Sequence, residues 1–313
     1  MAMKIALAGI GKIARDQHVP AIRASRDWEL AATVSRHGTV EGVESFSNIA
    51  ALLDARPDIE TISLCLPPVP RFASAVAAIG AGRNVMLEKP PGATLTECRT
   101  LETMAREAGV SIFATWHSRE AAQVAAAKAW LADRRILRLK ITWKEDVRRW
   151  HPGQAWIWQP GGLGVFDPGI NALSILTEIL PDPIHIASAT LSFPENCETP
   201  IAADLIFAHP SGAQATAEFD FRQQGEQTWT IEIETTAGSL RLLDGGAKLL
   251  IDGVIQEVPC GANGPLNGEY PRLYAKMATL AGSRGIDMDL TPMALVADAF
   301  LLGRRVVVEP FHE

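Results

Sequence analysis

The stretch KIALAGIGKIARDQH, residues 4–18, opens with five mostly apolar residues that run into two glycines two positions apart, and a helix-like segment follows. Gly9, Gly11 and Ala14 fit the pattern G-x-G-x-x-G/A. In a strand–turn–helix unit the first small residue permits the tight turn. The second lets the backbone approach a pyrophosphate, and the third lets helix and strand pack closely. The anion then rests on free N–H groups at the helix N-terminus, here over Gly9, Gly11, Lys12, Ile13 and Ala14. In isolation the pattern is weak. Its weight comes from context: it follows a first strand and opens a helix.

Working outward, the same alternation continues. WELAATVS (28–35), IETISLCLP (59–67), NVMLEKP (84–90) and SIFATWH (111–117) read as strands. Between them, RFASAVAAIGAG (71–82) and TLTECRTLETMAREAG (94–109) read as helices, the latter opened by a capping Thr and closed by Gly. Alternating strands and helices predict a doubly wound parallel sheet, an α/β domain over residues 1–117. The pattern then changes. After an Ala-rich helix at 120–133, strand-like runs dominate: 137–145, 184–193, 203–209, 213–221, 228–236, 238–244 and 247–253. Several alternate apolar with polar residues, so one face of that sheet is solvated or covered by a partner. Residues 118–313 are therefore expected to form a second, α+β domain on a large, mostly antiparallel open sheet, closed by helices at about 269–283 and 291–305.

Composition narrows the functional classes. The 313 residues are 47% hydrophobic and 21% charged, as in a soluble globular protein with a sizeable core. Net charge is −7 and there is no basic block, which argues against nucleic acid or an anionic membrane as partner. No stretch approaches the roughly 20 apolar residues of a membrane span, and the apolar N-terminus reads as a strand. Cys65, Cys98, Cys197 and Cys260 form no CxxC pair or zinc pattern, and no HxxxH or HExxH occurs. Reduced thiols in a cytosolic protein without a metal are the expectation.

The end of the second strand bears on the cofactor. A carboxylate there commonly binds the ribose 2′-OH of NAD. Here the strand ends in Ser35, Arg36 and His37, and Glu29 lies at its other end. A guanidinium and a hydroxyl suit a 2′-phosphate, so NADP is expected in preference to NAD. A solvated loop arginine is the alternative.

LEKPPG (87–92) puts Lys89 just after a buried strand, at the sheet edge where ligands bind in such folds. A lysine there can favour negative charge developing on oxygen. A surface loop lysine is the plainer reading. WKEDVRRWHPGQAWIWQPGG (143–162) crowds Trp143, Trp150, His151, Trp156 and Trp158 beside Glu145 and Asp146. Sugars offer C–H faces to aromatic rings and hydroxyls to fixed polar groups, so a sugar pocket fits this stretch. A core tryptophan cluster with solvated charges fits it too. Asp167 precedes a proline and a helical run, so it reads either as a catalytic carboxylate or as a helix cap.

GIGKIA, EKPPG (88–92) and GGLGVFDPGIN (161–171) resemble the glucose–fructose oxidoreductase/inositol dehydrogenase/rhizopine-catabolism family, over nearly the whole chain. ATWHSR (114–119) and the two long strings at 143–158 and 161–174 look like its bacterial L-arabinose/D-galactose 1-dehydrogenase branch. The resemblance implies oxidation of an aldopyranose at C1 to a lactone, with NAD(P) as hydride acceptor. It implies Asp167 and Lys89 as catalytic residues, and His117, Glu145, His151, Asn171 and Trp150 as sugar contacts. Leu66, Pro67 and Glu88 complete the expected cofactor contacts. A homo-oligomer, dimer or larger, through the second-domain sheet is also implied. One departure stands out. Many members carry His four residues after the Asp; this chain has Asn171, whose amide does not titrate. Proton transfer then falls to Asp167 or Lys89. Another sugar or inositol dehydrogenase, or a dinucleotide- and sugar-sensing regulator, are the alternatives.

Overall fold

The computed structural model describes residues 2–36, 38–258 and 268–312. In chain order the first elements are β1 (Met3–Ala8), α1 (Val19–Ala24), β2 (Trp28–Val34), β3 (Glu44–Phe46), α2 (Ile49–Ala55), β4 (Thr61–Leu64) and α3 (Pro68–Gly80). Then come β5 (Asn84–Glu88), α4 (Leu95–Ala108), β6 (Ile112–Thr115), α5 (Val124–Leu131), β7 (Ile136–Lys144), α6 (Val147–Trp150) and α7 (Phe166–Ile179). A run of strands follows: β8 (His185–Pro194), β9 (Ala202–Ala208), β10 (Gln214–Asp220), β11 (Thr228–Thr235), β12 (Gly238–Leu243), β13 (Lys248–Ile251) and β14 (Val254–Ile255). The last elements are α8 (Glu269–Ser283), β15 (Ile286–Asp287), α9 (Thr291–Leu302) and β16 (Gly303–Val308).

These elements make two compact units. The first holds the chain up to His117 together with the described residues 268–290. Its sheet is parallel throughout, in the order β15-β6-β5-β4-β1-β2-β3, the doubly wound arrangement. Parallel strands are covered on both faces, so they read as continuous apolar runs; Ile5 to Ala8 are all buried. α4 is punctuated as its sequence predicts. The Thr94 side chain accepts from Glu97 N at 3.2 Å, and Gly109 ends the helix with φ +67°. The segment 118–313 does not stay together, because α8 and β15 join the first unit. α8 buries Tyr270, Leu273, Tyr274 and Met277 against Ile5, Ile22, Trp28, Met86 and Phe113. Two further elements, β3 and α2, arise where residues 36–58 have no strong apolar period.

The second unit carries the open sheet, ordered β14-β13-β12-β11-β7-β10-β9-β8-β16. Only the β7–β10 and β8–β16 pairs are parallel; the rest are antiparallel. α5, α7 and α9 lie against this sheet, and the alternating burial along β9 and β10 follows from having one covered face. The run expected to be helical to 305 turns to strand at Gly303, because β16 finds an open edge at β8. No helix among the described residues is long and apolar enough to cross a membrane.

Candidate active site

In the first unit the glycine turn sits at the C-terminal edge of the parallel sheet. Gly9 has φ +90°, and a Cβ there would lie 2.9 Å from both Cys65 C and Leu66 N. Only glycine lets β1 leave the sheet so close to the end of β4. At Gly11 a Cβ would meet nothing within 4 Å, so no protein packing demands a glycine at that position. The chain continues into a π-helical turn, Ala14–His18, whose start has no side-chain cap. Ala14 is buried against the core, Ile13 is exposed, and Lys12 pairs with Asp16.

After β2, Ser35 Oγ accepts from Gly38 N at 3.0 Å, and Arg36 is exposed. His37 lies outside the described residues. Arg15 reaches the same turn and donates to Thr39 O at 3.2 Å, adding a guanidinium that the motif reading did not include. Leu66 and Pro67 lead into α3 and are half-buried. They are fixed by Arg71, which is only 2% exposed. Its Nε donates to Leu66 O at 3.0 Å, and its Nη atoms reach the carbonyls of Leu66, Glu88 and Pro90. One buried guanidinium thus ties the Leu66 turn to the Lys89 turn. Arg71→Met leaves those carbonyls without it and is expected to cost about 1.5–3 kcal/mol, read by urea denaturation.

Lys89 follows β5 and is half-buried; the Lys89–Pro90 peptide is cis. Glu88 beside it is turned inward, 4% exposed, with protein partners for both oxygens. Oε2 accepts from Lys89 N at 2.6 Å; Oε1 accepts from Tyr270 Oη at 2.7 Å and faces His18 Nε2 at 3.2 Å. Both carboxylate oxygens of this expected cofactor contact are thus engaged within the protein. Burial works against its charge, but His18, His117 and Tyr270 outweigh that and hold its pKa at about 2. His18 shifts the other way. Burial lowers it, yet Cys65, Tyr274 and Glu88 raise it well above the ordinary imidazole value. His117 Nδ1 lies 2.7 Å from Glu269 Oε2, and its ring stacks on Tyr270 at 5.6 Å. A carboxylate on Nδ1 fixes the proton there and leaves Nε2 to face other partners.

In the second unit, sheet ends and one helix bring together most of the expected sugar contacts. Glu145 follows β7 and is anchored by its N–H to Asp220 O at 2.9 Å. Asp167 lies in the first turn of α7, where the cap position is Val165. It is therefore not a capping aspartate. Glu145 is 5% and Asp167 2% exposed, so both carboxylates are withdrawn from bulk water. His151 Nε2 lies between them, 3.5 Å from Glu145 Oε1 and 3.6 Å from Asp167 Oδ2. Its ring tilts against Phe221 at 5.7 Å. Gly169 sets the depth of α7, since a Cβ there would be 2.9 Å from the Phe219 ring. Asn171, one turn beyond Asp167, shares its helix face and is half-buried.

Two contributors escaped the sequence reading. Trp229 on β11 stands opposite Trp143 and donates from Nε1 to Glu145 Oε2 at 2.9 Å. It also meets Trp150 edge-on at 5.4 Å. Gln227 Oε1 accepts from Asp146 N at 2.6 Å and Trp150 Nε1 at 3.3 Å, which orients the Trp150 ring. The alternation of TWTIEIE announced a strand, but not which register would carry Trp229 to Glu145. Among the described residues no group of His, Cys, Asp and Glu is arranged to hold a metal ion.

A parallel sheet with a glycine turn at its edge, and a second unit with buried carboxylates around a histidine, define a dinucleotide-dependent oxidoreductase architecture. The chain belongs to the GFO/IDH/MocA oxidoreductase family, whose NAD-binding Rossmann-fold model matches residues 3–115. It is 44% identical to galactose 1-dehydrogenase of Pseudomonas fluorescens, over 99% of each chain. It superposes on the crystal structure of a D-galactose-1-dehydrogenase protein from Rhizobium etli with TM-score 0.93 and 53% identity, covering 99% of this chain and 98% of that one. A 3-ketoreductase from Actinomadura kijaniata, solved with NADP and TDP-benzene, shares the fold at TM-score 0.82 and 17% identity, covering 98% of this chain and 100% of that one.

Proposed function

We propose that this chain is an NADP-preferring aldose 1-dehydrogenase that oxidises D-galactopyranose and L-arabinopyranose at C1 to the lactone. The observation that carries this reading is the Glu145–His151–Asp167 group, two buried carboxylates about a half-buried imidazole, beside Trp150 and Trp229. Paired acids and a histidine among flat rings suit a polyol with apolar C–H faces. The names of the full-length relatives at 44% and 53% identity point the same way.

The first unit fits a dinucleotide. Gly11 leaves space that no side chain uses, beside an uncapped helical turn. Arg36 and Arg15 flank the turn after β2, and residues 35–40 of the sequence include no acid, which favours a 2′-phosphate. When bound, the dinucleotide supplies the hydride acceptor. Asp167 accepts the proton of the C1 hydroxyl, and Lys89 holds the same oxygen and steadies its developing charge. His117, Glu145, His151 and Asn171 bind the remaining hydroxyls, and Trp150 walls the ring. Both sugars share configuration from C1 to C4 and differ in the hydroxymethyl group on C5. Discrimination between them is worth about 1–3 kcal/mol in a pocket of this kind.

An initial-rate panel at 340 nm tests the proposal, with L-arabinose, D-galactose, D-glucose, D-xylose and myo-inositol, each with NAD⁺ and NADP⁺. Turnover of galactose and arabinose, faster with NADP⁺, is the expected result. Turnover of inositol or glucose alone discards the pocket assignment, and tight dinucleotide binding without turnover discards the enzyme. In the same assay Arg36→Ala is expected to raise KM for NADP⁺ by about 10-fold or more, the worth of one charge-assisted bond, and to leave KM for NAD⁺ little changed.

A further inference from the structure

Beneath the Lys89 turn lies a polar network sealed inside the first unit. His18 is fully buried. Its Nδ1 meets Tyr274 Oη at 2.7 Å, and that hydroxyl reaches Ser63 Oγ at 3.4 Å. Its Nε2 faces Glu88 Oε1, which also accepts from Tyr270 Oη. The other oxygen of Glu88 holds the N–H of Lys89 at 2.6 Å. Every one of these groups is buried or half-buried, and nothing in the proton transfer above uses them. Buried charge and hydroxyl are costly unless they are fully satisfied. Here the partners also fix the orientation of the Glu88 carboxylate.

The two tyrosines come from α8, far along the chain from Glu88. α8 also supplies Glu269, the residue next to Tyr270, to His117 Nδ1. One end of one helix therefore fixes both the turn carrying Lys89 and the ring of His117. Tyr270 is the junction. Its hydroxyl bonds to Glu88, and its ring face supports the His117 ring, at an interplanar angle of 20°. Rotating either the carboxylate or the imidazole requires breaking a contact with this one side chain.

We propose that Tyr270 is a positioning residue for the oxidation at C1, acting through Glu88 on the backbone of Lys89, with His18 as the second clamp on the same carboxylate. The proposal rests on Lys89 serving the reacting oxygen. Removal of the Tyr270 hydroxyl leaves Glu88 Oε1 with His18 alone. The carboxylate then rotates, the bond to Lys89 N loosens, and Lys89 presents its ammonium in more than one place. Small misplacements of this kind slow chemistry more than they weaken binding.

Tyr270→Phe in the full-length protein tests this, assayed with D-galactose and with D-galactose carrying deuterium at C1. The expected result is kcat lower by about 10-fold or more, KM for sugar and dinucleotide within about 3-fold, and a larger deuterium effect on kcat as hydride transfer becomes rate-limiting. Unchanged kcat overturns the proposal. So does a loss that equals the unfolded fraction by circular dichroism and leaves the isotope effect as in the wild type. If Tyr270→Phe does not accumulate folded, His18→Gln reads the same carboxylate from its other side, with the same two outcomes. Lys89→Met is run in parallel: wild-type turnover in that variant refutes the role of Lys89 itself, whatever Tyr270→Phe does.

Discussion

Asp167→Asn is expected to lower kcat for D-galactose by about 10²–10⁴-fold, the usual worth of a positioned general base. The substitution keeps the shape of the side chain and its place in the first turn of α7 but removes the ability to take a proton. Dinucleotide affinity, measured by fluorescence quenching, should be unchanged, because Asp167 is not among the proposed dinucleotide contacts. Asn171 one turn further on cannot substitute for it. Turnover within a few-fold of wild type would remove Asp167 from the chemistry and leave it as a buried hydrogen-bonding group.

The second large effect is expected at Lys89. Lys89→Met keeps the length of the stem and deletes the ammonium, and with it the charge stabilisation proposed at the C1 oxygen. Removal of one such donor typically costs about 10²–10³-fold in kcat. Arginine is not expected to restore activity, since its planar fork occupies a different volume on the same backbone. Thermal stability should fall little, because Lys89 is half-buried whereas its neighbours Glu88 and Pro90 are buried. A double variant with Asp167→Asn measures how far the two groups act as a unit: a combined loss well below the product of the single losses is the expected sign.

Much of the fold was legible because parallel strands buried on both faces leave continuous apolar runs, and Thr94 and Gly109 mark a helix by local chemistry alone. The glycine turn was legible for the same reason: Gly9 answers to a backbone angle and a close approach, both fixed within one strand–turn–helix unit. What escaped depends on partners distant in sequence. The apolar face of residues 269–283 declares a helix, but its periodicity carries no label for the core that receives it. Trp229 became a neighbour of Glu145 through the β7–β11 register, and Arg71 owes its burial to three carbonyls on two separate turns. GGLGVFDPGIN was read as a family signature, and part of its meaning is steric: Gly169 allows α7 to settle on Phe219.

The late return of α8 and β15 also constrains how the molecule comes into being on the ribosome. The first 117 residues emerge early, yet the apolar surface of Ile5, Trp28, Met86 and Phe113 has its cover encoded more than 150 residues downstream. Until that helix arrives, the nascent sheet carries an uncovered hydrophobic face and a buried-to-be Glu88–His18 pair open to water. The first unit is thus finished only after most of the second has been made. A fragment ending at residue 117 should be aggregation-prone, and co-expression of a peptide spanning α8 and β15 should rescue it.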